Sequence, residues 1–169
     1  MNPAVLLREA LFYGLVLSLV LAAILAASFH FAPPEMWVGD YPPDIRERFG
    51  PMGPRAARAR WFVAIPFFVA AVAVPLLALA DLAGQVWPLS FLAAFATSFV
   101  VLLTFNLFDL LILDWLVFCT LRPRRMVLPG TEGMAGYRDY RFHFVGFLKG
   151  LGFCAVGGLV VAALWSALI

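Results

Sequence analysis

Two aspartates stand where hydrocarbon is expected. The stretch "NLFDLLILDW", Asn106 to Trp115, places Asp109 and Asp114 beside Asn106 near the end of a long apolar run. A charged Asp at mid-span costs about 2.5–3.5 kcal/mol on insertion scales, so an acid there implies a proton, a cation or a basic partner. The two histidines, His30 and His143, each border an apolar segment. Imidazole titrates near neutrality and ligates metals.

Three chemistries are open to this set. Asp109 could accept a proton or cation, with Ser98, Asn106 and Asp114 lining its route. Two imidazoles and two carboxylates could hold a divalent metal. His30 and His143 could be axial ligands of a haem, with loop arginines for its propionates. Neither histidine lies in a spacing that demands a ligand, so no cofactor is expected, and haem or a divalent metal stands as an alternative. A plainer arrangement uses the same residues. Asp109 and Asp114 would pair with Arg122, Arg124 and Arg125 and pin the loops onto the bundle. Otherwise those arginines would face lipid headgroups, worth about 1 kcal/mol per basic residue.

Other chemistries lack their residues. The chain has no glycine-rich phosphate loop, no Gly-x-Ser-x-Gly and no His-Glu-x-x-His. Its two cysteines, Cys119 and Cys154, fit neither a zinc spacing nor a disulfide framework and read as small apolar fillers. A net charge of +2 does not suit nucleic acid. With no catalytic motif, the expectation leans away from an enzyme.

The elements that must position these residues lie in lipid. Hydrophobic residues make up 64% and charged residues 13% of the chain, against about 45–50% and 25% in soluble domains. Four stretches, 10–31, 61–80, 89–120 and 144–168, approach or exceed the roughly 20 apolar residues that a span needs. None alternates as a barrel strand would, so each reads as a helix. The expected fold is all-α, a single integral-membrane domain over 1–169 with four transmembrane helices in one bundle. The first apolar run exceeds the roughly 7–15 residues of a signal core and reads as a retained helix.

Long loops, 32–60 and 121–143, carry ten of the basic residues. The segment 81–88 carries none. Basic loops stay cytoplasmic, which puts both termini outside and brings His30, Asn106, Asp109, Asp114 and His143 near the inner face. Eleven of the twelve basic residues are Arg and alanine is abundant, the composition of a G+C-rich, bacterial genome and hence of a cell (inner or plasma) membrane protein. In the first loop, Asp44 with Glu47 reads as a capping box opening a short helix. Pro66 and Pro75 should bend the second span.

Helix association in lipid relies on small residues. The first span repeats them every fourth position, at Gly14, Ser18, Ala22 and Ala26, and the last at Gly146, Gly150, Cys154 and Gly158. The simplest pairing sets these two grooves against each other; the other possibility turns one toward a second subunit. At 100° per residue Ser98, Asp109 and Thr120 share a face of the third span, while Asp114 stands apart. The leading expectation is therefore a non-enzymatic accessory, interaction or structural subunit, whose partners are the bilayer, other membrane proteins or a second copy. The alternatives are a proton- or cation-coupled subunit using Asp109, and a haem or metal protein.

Overall fold

The computed structural model describes residues 3–168, and among them there is no strand. Four helices are long and apolar enough to cross a membrane: α1 (Pro3–Phe31), α3 (Pro54–Gln85), α4 (Phe91–Leu121) and α5 (Tyr140–Leu168). A short α2 (Pro43–Phe49) lies in the first long loop. Three of the four long helices begin before their apolar runs do. Hydropathy marks only the lipid-facing part, whereas backbone hydrogen bonding carries a helix on through polar turns such as "PRAARAR".

Local sequence accounts for the boundaries. Pro43 and Pro54 open α2 and α3 at the first helical position, where a missing N–H is harmless. Ser90 caps α4, its hydroxyl accepting from the Ala93 amide at 3.2 Å. Gly50 ends α2 at a φ of 91°. The α3 helix runs unbroken through Pro66 and Pro75. The capping box does not form: Pro42 precedes α2 without a side-chain cap, and Asp44 instead accepts from the Gly136 amide of the other long loop at 2.9 Å.

Within α4 the winding changes. The helix is regular to Phe108 and then π-helical from Asp109 to Leu121. At its end the Arg122 amide donates to Val117 O, five residues back, at 2.8 Å. The π-helix is rare and appears mostly as single-turn bulges, frequently at functional sites.

The two small-residue stripes do not face each other. Both pack on α4, which lies between α1 and α5 and also touches α3. A Cβ built on Gly14 would sit 2.5 Å from Thr104 Cβ, and one on Gly150 would overlap Asn106 Oδ1. Gly158 lies against the Phe99 backbone at 3.2 Å on the same measure. Nothing approaches Gly146, and Ala26 is exposed. Each step of four residues drifts by about 40°, so a strict stripe winds off the buried face. The buried line of α1 instead follows Ala10, Gly14, Leu17, Ser18, Leu21 and Ser28.

The long loops fold together into a cap at one end of the bundle. Val38, Tyr41, Ile45, Leu128 and Tyr137 form its core with Phe118 and Cys119 of α4. The Tyr137 hydroxyl accepts from the Leu128 amide at 2.9 Å and lies 2.7 Å from Thr131 Oγ1. Tyr41 donates to Met126 O at 2.6 Å, and burial raises its phenol above the ordinary tyrosine range. Tyr137→Phe strands a buried amide, at about 1–3 kcal/mol. The expected result is faster proteolysis within 122–139 with unchanged helical circular dichroism.

At the other end, α1 and α3 are joined by polar side chains. Tyr13 hydrogen-bonds Asp81, and Gln85 donates to Glu9 at 3.2 Å while accepting from Arg8 at 3.1 Å. These groups satisfy one another.

Candidate functional site: an acid–imidazole cluster beneath the cap

The π-helical winding assembles the site. In a regular helix residues five apart point about 140° away from each other. When hydrogen bonds run from i to i+5, such residues lie above one another. Asp109 and Asp114 are spaced by five and both lie in the π-helical segment. The 100° step used to separate Asp114 from Asp109 therefore ceases to apply at the first of them. Thr120 shows the same offset, its hydroxyl donating to Trp115 O at 2.7 Å. It also lies 3.0 Å from the Tyr140 hydroxyl rather than continuing a seam from Ser98.

His143 comes from the first turns of α5. Asp139 caps that helix by accepting from the Phe142 amide at 2.9 Å. Trp115 donates to Tyr140 O at 3.3 Å and ties α5 to the π-helical segment. His143 is 6% exposed and packs against Phe118, with ring centroids 4.9 Å apart. Its Nδ1 lies 2.9 Å from Asp114 Oδ1. The other ring nitrogen, Nε2, points away from that contact. That Nε2 is buried and, among the described residues, meets no hydrogen-bond partner.

Asp109 is half-buried, and among the described residues no hydrogen bond or ion pair reaches its carboxylate. The charged groups acting on it are Asp114, His143 and Asp40. Asp40 ends the 3₁₀ turn Pro34–Asp40 of the cap and pairs with Arg60 at 3.2 Å. Desolvation raises its carboxyl above the ordinary value, Arg60 and Arg46 pull it down, and Asp114 adds to the rise. Nothing in "VGDYPP" singled out Asp40 beforehand; its role depends on the loop folding back.

The remaining expected residues go elsewhere. Asn106 donates to Phe147 O at 3.2 Å and fills the space over Gly150, so it joins α4 to α5. His30 is exposed and contacts Arg125 through Nδ1, with its ring edge on Phe31. Arg122, Arg124 and Arg125 meet neither aspartate among the described residues; Asp114 takes an imidazole instead. Ser98 and Thr97 are fully buried, and among the described residues neither hydroxyl has a hydrogen-bond partner. Among the described residues, no three His, Cys, Asp or Glu side chains converge as a metal site.

The arrangement holds one carboxylate against an imidazole and a second carboxylate close by that, among the described residues, makes no ion pair of its own. Such a set can take up and release a proton or hold a small cation. These features define a multi-pass helical membrane protein with a polar cluster where its third span meets the cap. No family model, curated protein or solved structure matches the chain.

Proposed function

We propose that the protein is a proton- or cation-coupled membrane subunit in which Asp109 is the acceptor and the Asp114–His143 pair its exchange partner. One observation carries this reading. Among the described residues, a carboxylate with no hydrogen bond or ion pair lies on a membrane-crossing helix next to a buried imidazole whose Nε2 has no partner. Unpaired acids of this kind are expensive in a span and mark ion or proton routes. The docking alternative drew on the glycine stripes, and Gly14, Gly150 and Gly158 are filled by α4. In this reading the arginine-bearing cap faces the cytoplasm of a bacterial cell and both termini lie outside, following the distribution of basic residues.

The test is transport in liposomes. Protein reconstituted with an internal pH dye should carry protons, or a monovalent cation, down an imposed potential. Asp109→Asn should reduce that flux to the level of protein-free vesicles. Unchanged flux in the variant, or none in the wild type, removes Asp109 from the mechanism.

The accessory reading keeps the folded cap as its support, a surface that a partner could recognise. A strictly monomeric particle in detergent with no co-purifying protein counts against it.

A further inference from the structure

A second feature of the cap is independent of Asp109. Where α4 leaves the span, Leu121, Arg122, Arg124, Val127, Glu132 and Met134 line a groove of about 540 Å³. Arg122 is half-buried, and its backbone is left-handed, with a φ of 47°. That conformation is uncommon outside glycine, asparagine and aspartate. No hydrogen bond or ion pair satisfies the Arg122 or Arg124 guanidinium among the described residues. A partly buried guanidinium presents five donors and no acceptor, so it calls for an anion. Glu132 supplies only one negative charge, and its Oε1 accepts from the Gly130 amide at 3.2 Å. A second groove in the cap is lined by both Arg46 and Glu47.

We propose that this groove binds the phosphate of an anionic phospholipid headgroup. Arg122 and Arg124 would grip the phosphate oxygens, for which the planar guanidinium fork is suited. Three observations favour a lipid over a free phosphate. The groove opens at the end of a helix long and apolar enough to cross a membrane, which would bring it to the headgroups. Leu121, on its membrane side, is 64% exposed and continues the lipid-facing surface on which an acyl chain would lie. Val127 and Met134 add an apolar wall that a free anion would not use.

Full-length protein in neutral detergent, titrated with phosphatidylglycerol or phosphatidylcholine, provides the test, with retained lipid counted by native mass spectrometry. One phosphatidylglycerol per chain should be held at least tenfold more tightly than phosphatidylcholine. Arg122→Gln with Arg124→Gln should weaken that retention by about tenfold or more, and Arg124→Gln alone by less. Arg55→Gln with Arg58→Gln removes the same charge from exposed positions at the start of α3 and should change it little. Equal losses in the two double variants would mean a diffuse basic collar and overturn the site. So would absence of a headgroup preference, or displacement by inorganic phosphate at concentrations matching the lipid.

Discussion

Gly14→Val should destabilise the bundle severely, whereas Gly146→Val should leave it nearly untouched. The two glycines occupy equivalent places in their stripes, so sequence alone ranks them together. Geometry separates them. A Cβ at position 14 would lie 2.5, 2.7 and 2.9 Å from Thr104 Cβ, Oγ1 and Cγ2. Thr104 cannot turn aside: its Cβ moves only with the backbone, and its hydroxyl donates to Val100 O at 2.8 Å. Relief requires α1 and α4 to separate, and those helices share the buried cluster of Ala10, Leu17, Leu21 and Val101 with α3. Overpacking costs about 1–3 kcal/mol and more when backbone must move. Lipid provides no hydrophobic drive to restore the contact. Gly14→Val belongs at or above the top of that range. Gly150→Val should fall between the two, because its obstacle is the Asn106 amide, which can rotate once it gives up Phe147 O. Thermal unfolding in detergent would rank the three variants; equal losses at 14 and 146 would contradict the packing.

Membrane class and helix number were legible because each rests on composition over twenty residues or more. Helix pairing was not. The stripes identify surfaces that permit close approach but not the helix that supplies the ridge. Here the ridge residues are Thr104, Asn106 and Phe99, all on α4, whose own pattern is bulky and unremarkable. The acids were visible as anomalies, yet their grouping was misread because an angular argument assumes one winding throughout. "DLLILDWLVFCTL" is π-helical over its whole length, and no residue type in it signals that change. His143 was recognised as a residue able to titrate, but its attachment to Asp114 depends on that winding. The cap was the least legible part. Prolines and glycines announce turns in both loops, but the contact of Asp44 with Gly136 and of Tyr41 with Met126 joins segments more than eighty residues apart.

The acid cluster yields a prediction of opposite signs for two chemically identical substitutions. Asp114 lies 2.9 Å from Nδ1 of a buried imidazole, its own side chain 28% exposed. His143→Ala leaves that carboxylate without its partner and opens a cavity against Phe118, the ring that His143 packs on. Breaking a buried pair from one side costs about 3–5 kcal/mol, and the partial exposure of Asp114 puts this case toward the lower end. Asp114→Asn keeps an acceptor oxygen for Nδ1 but loses the charge assistance, so about 1–2 kcal/mol is expected. Asp109→Asn should do the reverse. Among the described residues its carboxylate has no hydrogen bond or ion pair to lose; of the charged groups acting on it, Asp114 and Asp40 repel and His143 attracts. Removing that charge relieves desolvation, the largest effect, and the repulsion of two acids against the attraction of one imidazole, so stability should hold or rise. A residue that impairs stability but is needed for transport is what a functional carboxylate requires, whereas a structural ion pair behaves as Asp114 should. Denaturant unfolding of the three variants at neutral pH, with Asp114→Asn and His143→Ala combined in a double-mutant cycle, measures the coupling directly. If Asp109→Asn proved as damaging as His143→Ala, Asp109 would be a structural group held by a partner, and its role as an acceptor would fall with that result.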